Sequence, residues 1–309
     1  MVSSPSRSYL LQIHDFLFLG RTLFVDFGHV PVRQLLDVVG GLLEFVLGDG
    51  LVLFQLLELV VGVAADVADG DLGFLAGLAG ELAEMAECMP HYYKITNGHG
   101  QGAETIMRAE ALFCQGRFTD AHIELERAYA QVKDNGQINM ALCCDFLSRR
   151  LSLYTDVEQR YTFEERYAEL LHYHDASWIN LWSAASAYYH ALRGETDKIP
   201  EIFSQHRLSD INMLAPGKPM MELIENQVYL AQGAYAKVVG RSAELLAVCE
   251  AMHYALVALH IRIQTAAAYE KLGKTEEARV WLRKALADAE PDSFRMPFVE
   301  IYDCLQPIL

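Results

Sequence analysis

The feature that most constrains this chain is a turn that returns at a fixed interval. Gly116-Arg117-Phe118, Gly194-Glu195-Thr196, Gly233-Ala234-Tyr235 and Gly273-Lys274-Thr275 follow one another at separations of 78, 39 and 40 residues. Because 78 is twice 39, a further turn is expected near residue 155, where Tyr154-Thr155-Asp156 stands without a glycine. Between the turns the apolar residues keep helical spacing. The stretch 101–115 carries Ile106, Ala109, Leu112 and Phe113 on one face, and 119–133 carries Ala121, Leu125, Ala128 and Val132. Five turns in one register predict an all-α chain of about five antiparallel helix pairs stacked as a superhelical array, since a fixed period of this size marks a repeat architecture.

The small residues have a packing reason. Paired helices in such arrays cross closely, so Ala109, Ala121 and Ala128 leave room for Leu112 and Phe118, and the last pair repeats the pattern with Ala266, Tyr269, Gly273, Ala278 and Ala285. This order resembles the Ala, aromatic, Gly, aromatic, Ala pattern of tetratricopeptide (TPR) repeats, at a period longer than their roughly 34 residues. The first helix of each pair in such an array lines its concave face, where aromatic and polar side chains can hold a ligand. Counting back from each turn glycine places Tyr188, Gln227, His260 and Glu270 there. Trp178 joins them from the predicted helix that also holds Trp182, Tyr188 and Tyr189, although burial in the core is the competing use of that set.

Residues 1–80 read differently from 81–309. They contain no Lys, Asn, Trp or Cys, and runs such as Leu51-Val52-Leu53-Phe54 keep neither a helical nor a strand period. Gly-Asp and Ala-Asp steps interrupt any long element. Two readings are open. One is a real hydrophobic segment packed on the array. The other, which suits the conflicting local signals better, is a stretch never selected for a fold, as in an out-of-frame or opposite-strand translation.

Charge and chemistry narrow the function. A net charge of −16 without a basic run argues against direct nucleic-acid binding. The six cysteines form no C-x-x-C pair and read as buried thiols in a reducing, cytoplasmic setting. The apolar stretch 35–65 is broken by Asp37, Glu44, Asp49 and Glu58, which argues against a membrane span. Gly273-Lys274-Thr275 lacks the upstream glycine and the strand of a P-loop, because Ala268 stands at the required position. His172-Tyr173-His174-Asp175 spaces its imidazoles on different helix faces, a poor metal site. No grouping of nucleophile, base and stabiliser can be assembled, so neither an enzyme nor a cofactor is expected.

Several segments carry a family resemblance. They are Met89-Pro90-His91-Tyr92-Tyr93, Asn97-Gly98-His99-Gly100, Gly102-Ala103-Glu104, Met107-Arg108-Ala109-Glu110-Ala111 and Leu214-Ala215-Pro216-Gly217-Lys218-Pro219. Further on are Ala266-Ala267-Ala268-Tyr269-Glu270-Lys271-Leu272-Gly273 and Pro291-Asp292-Ser293-Phe294-Arg295-Met296-Pro297-Phe298-Val299-Glu300. In this order they make 81–309 resemble the helical-repeat, MalT-like region of LuxR-type ATP-dependent transcription regulators. The resemblance implies a sensing and coupling arm that binds a small-molecule inducer or a regulatory protein. It also implies truncation at both ends, because no P-loop precedes residue 81 and the chain stops at Leu309, where a helix-turn-helix would begin. The alternatives are a stand-alone protein–protein interaction adaptor and a membrane-attached form inserted through 35–65.

Overall fold

A computed structural model describes residues 101–135, 137–173, 176–211, 218–251 and 254–309. The segment 1–80 with its apolar stretch 35–65, the motifs of residues 89–100, Cys88, His174, Asp175 and the motif residues 214–217 lie outside them. Among the described residues every α-helix or 3₁₀ turn stands without a strand beside it. The α-helices are α1 (Ala103–Cys114), α2 (Phe118–Asn135), α3 (Ile138–Ser152), α4 (Phe163–Leu170), α5 (Ala176–Leu192) and α6 (Glu201–Ser204). There follow α7 (Lys218–Ala231), α8 (Tyr235–Ala251), α9 (Ala255–Lys271), α10 (Thr275–Ala289), α11 (Met296–Val299) and α12 (Tyr302–Leu305).

The turn glycines do what their spacing predicts. Gly116, Gly194, Gly233 and Gly273 have φ of +78°, +70°, +75° and +73°. That left-handed region costs a residue with a Cβ about 1–2 kcal/mol. Each glycine closes its helix in the same way. The Gly116 N–H donates to Phe113 O at 2.8 Å and the Arg117 N–H to Leu112 O at 2.9 Å, a pair of bonds that satisfies the last carbonyls of α1. At the fifth bend a side chain replaces the glycine. Thr155 Oγ1 donates to Leu151 O at 2.9 Å and accepts the Val157 N–H at 3.3 Å.

The helices that follow the bends are not equal. After Gly116, Gly233 and Gly273 they are long, but after Thr155 the chain runs irregularly to Phe163, and after Gly194 it forms only a 3₁₀ turn (Thr196–Lys198) and the four residues of α6. The cause is local. Residues 156–162 are mostly polar and offer no apolar stripe, so α4 begins only where Thr162 supplies a capping box with Glu165. Pro200 similarly sets the start of α6.

The odd-numbered helices form a continuous layer, α1 on α3, α3 on α5, α5 on α7 and α7 on α9, with α2, α8 and α10 packed beside their sequence neighbours. Ala109, Ala121 and Ala128, chosen by the sequence pattern for close crossing, are each fully buried. The C-terminal residues then fold back: α11 packs on α1 and α9, and α12 on α9. Two hydrogen bonds to backbone carbonyls fix that return. The Arg295 N–H donates to Cys114 O at 2.7 Å, and Gln115 Nε2 donates to Asp292 O at 3.2 Å. No described helix is long and apolar enough to cross a membrane.

Candidate functional site

The layer of odd-numbered helices carries polar side chains into the interior, and one group of them centres on Arg150. This residue lies in the last turn of α3 and is 3% exposed. Its Nη1 donates to Glu110 Oε1 of α1 at 2.5 Å and its Nε to Glu300 Oε1 at 2.7 Å. Tyr188 of α5 donates its hydroxyl to Glu300 Oε2 at 3.0 Å. The guanidinium carbon lies over the rings of Phe113, Phe146 and Tyr188 at 4.7, 5.3 and 5.8 Å, so aromatic walls from α1, α3 and α5 enclose the charge. Arg150, Glu110, Tyr188 and Glu300 thus join three helices to the C-terminal segment across 40 to 150 residues of sequence.

The electrostatics follow from burial. Burial opposes the charge on Arg150, but Glu110 and Glu300 outweigh it and hold the guanidinium pKa well above its ordinary value. His260 of α9 is close enough to feel both Arg150 and Glu110. Burial, and then the positive charge of Arg150, pushes its pKa down to about 3, so the imidazole is neutral. Burial and then Glu300 push the Tyr188 phenol well up. The Cys114 thiol, whose Sγ donates to Glu110 Oε1 at 3.7 Å, is likewise pushed well up by burial and then by Glu110. Neither group is an activated nucleophile or base; the arrangement holds charge in place.

The sequence-predicted candidates divide. Tyr188 lies in the Arg150 centre, and His260 is buried on α9 within electrostatic reach of Arg150 and Glu110. Gln227 is buried one layer further along, where Gln264 Nε2 donates to its Oε1 at 3.2 Å and to Leu223 O at 3.1 Å. Trp178, half-buried, is about 15 Å along α5 from Tyr188 at the helical rise of about 1.5 Å per residue. Glu270 is half-buried about the same distance along α9 from His260, and its Oε2 has no hydrogen-bond partner. Tyr188 is 2% exposed, so it holds Glu300 rather than offering an open ring for stacking.

Residues that the sequence reading passed over carry the rest. Besides Glu110, Arg150 and Glu300, a second buried centre forms on the other side of α3. Asp145 accepts from Tyr129 Oη at 2.7 Å and, in bidentate fashion, from Arg166 Nε at 2.6 Å and Nη2 at 3.2 Å. Arg149 stands 3.7 Å from the same carboxylate and 4.0 Å over the Phe163 ring. The available signal was the pair Arg149-Arg150 ending a helix that is buried along most of its length, with Asp145 one turn earlier to receive one of the two charges.

The motifs that imitate chemistry have other roles. Gly273-Lys274-Thr275 is the bend between α9 and α10, with a helix where a P-loop has a strand. His172 Nδ1 is 2.9 Å from Ala168 O on the surface. Among the described residues no cluster of His, Cys, Asp or Glu is placed to hold a metal ion. No family model, curated protein or solved structure matches the chain.

Proposed function

We propose that residues 81–309 are a sensing and coupling module of the LuxR-type, MalT-like kind. In this reading the helix pairs stack as a TPR-like superhelical array, the odd-numbered helices present the binding face, and a small-molecule inducer or regulatory protein is the ligand. The single observation that carries it is the Arg150 centre, where three of those helices and the C-terminal segment share one buried ion-pair network. Such a network has few intermediate states, because removing any member leaves a charge or polar group unpaired. A change in the spacing of α1, α3 and α5 is therefore felt at 291–309, which is what a coupling element requires. The even return of the left-handed glycines supports stacking in one register.

Exposed apolar side chains around the end of α4, namely Tyr167, Leu171 and Tyr173, favour a second reading as a protein-binding adaptor. The two readings separate on the DNA that flanks the coding region. A regulator module predicts a P-loop reading frame upstream and a helix-turn-helix reading frame downstream. Finding neither in any frame contradicts the regulator reading and leaves the adaptor.

A further inference from the structure

Arg150 uses its guanidinium unevenly. Nη1 serves Glu110, and Nε serves Glu300, but Nη2 is buried and makes no hydrogen bond. Nε and Nη2 form one edge of the guanidinium, the edge that grips a carboxylate with two parallel bonds. Glu300 therefore occupies half of a two-pronged seat. The seat itself is built without it: Phe113, Phe146 and Tyr188 supply the walls, and Glu110 anchors the cation from behind.

The carrier of Glu300 has little structure of its own. Residues 291–309 contain two four-residue helices and a 3₁₀ turn, too short to be stable alone, and enter through Ser293 in the left-handed region at φ +57°. Their order comes from the side chains they insert: Phe294, Met296, Phe298, Ile301, Leu305 and Ile308 are buried, while Val299 and Tyr302 remain exposed on the outer side.

We propose that the Arg150 seat is a peptide-carboxylate binding site that 291–309 fills from within the chain. Its ligand in trans is a peptide segment with an acidic residue flanked by large apolar ones, the chemistry of Pro297-Phe298-Val299-Glu300-Ile301. The incoming carboxylate takes both Nε and Nη2, and its apolar neighbours replace those of the internal segment. This names the partner class for the binding face proposed above and rests on that reading. The flanking-DNA test bears on the family alone and the peptide test on the seat alone, so a failure of one is distinguishable from a failure of the other.

The test uses the full chain and a fluorescein-labelled synthetic peptide of residues 290–309, read by fluorescence anisotropy. Glu300→Gln weakens the internal competitor, so this variant should bind the peptide at least tenfold more tightly than the unaltered chain. The same peptide with glutamine in place of its own glutamate should bind at least tenfold more weakly. If folded Glu300→Gln binds neither peptide, or both equally, the proposal is overturned. Hydrogen exchange on the unaltered chain decides independently should that variant not fold. Amides of 294–305 should exchange at least tenfold faster than those in the middle of α3, α5 and α9; equal protection would make the segment a permanent cap and end the proposal.

Discussion

One turn of α3 sends two neighbouring arginines into two different buried centres, and the two differ in reach. The Asp145 centre is local. Its partners Tyr129 and Arg166 lie 16 and 21 residues away, so it fastens α2, α3 and α4 within one stretch of chain. The Arg150 centre is distant, with partners 40 and 150 residues away on α1 and beyond α10. Their charge is also reversed. One carboxylate is shared by two guanidiniums at Asp145, and one guanidinium by two carboxylates at Arg150. Arg166 has a further partner in Glu169, which is partly exposed, whereas the side chains of Arg150 and Glu300 are 3% and 1% exposed. The lesson is that a buried network of similar composition can either stiffen a local hairpin or tie the ends of the described region together. What separates the two is where the partners lie in the sequence, not how many bonds they make.

Breaking each centre should show the difference in size. Arg150→Met leaves Glu110 and Glu300 buried without a cation and is expected to lower stability by about 3–5 kcal/mol in urea unfolding. Asp145→Asn keeps a polar partner for Tyr129, leaves Glu169 for Arg166 and the Tyr161 and Thr162 carbonyls for Arg149, so its loss should be smaller, about 2 kcal/mol in the same measurement. Acid should act through a third group, the buried His260 near the Arg150 centre. His260 has a folded pKa of about 3, below the roughly 6.5 of an unfolded histidine. Below pH about 6.5 the unfolded chain binds a proton that the folded chain refuses. Stability then falls as pH drops, by roughly 1 kcal/mol per pH unit down to about pH 3. His260→Gln removes this contribution, so the difference between it and the unaltered chain should shrink steadily between pH 7 and pH 5. A difference that stays constant would show that His260 does not titrate between folded and unfolded states.

The fold was legible to the extent that it is written in local spacing. The stretch 101–115 predicted from its apolar stripe is α1 (Ala103–Cys114), and 119–133 is α2 (Phe118–Asn135). The hidden bend at Thr155 was found by period alone, and its hydroxyl performs the closure that glycine performs elsewhere. The period did not reveal that the helices after Thr155 and Gly194 are short, because a bend fixes where a helix ends and not whether the next has a face to bury. The site was less legible. The repeat register picks out Tyr188 and His260, but what holds Tyr188 in the interior is its bond to Glu300 in the Arg150 centre. Glu110 and Glu300 look like ordinary solvated carboxylates in a linear sequence; only the fold brings them to one cation across 190 residues. Trp178 and Glu270 share the register and lie away from that centre, since a helix carries residues of one face many ångströms apart.

The central claim is that Arg150 and Glu300 are energetically one unit joining the odd-numbered helices to the C-terminal segment. A double-mutant cycle tests it directly, using Arg150→Gln, Glu300→Gln and the pair, each followed by urea unfolding. The account predicts a coupling of about 2 kcal/mol, with the double variant losing far less than the two single losses together. Losses that add to within about 0.5 kcal/mol would show that the two residues act independently and would contradict it.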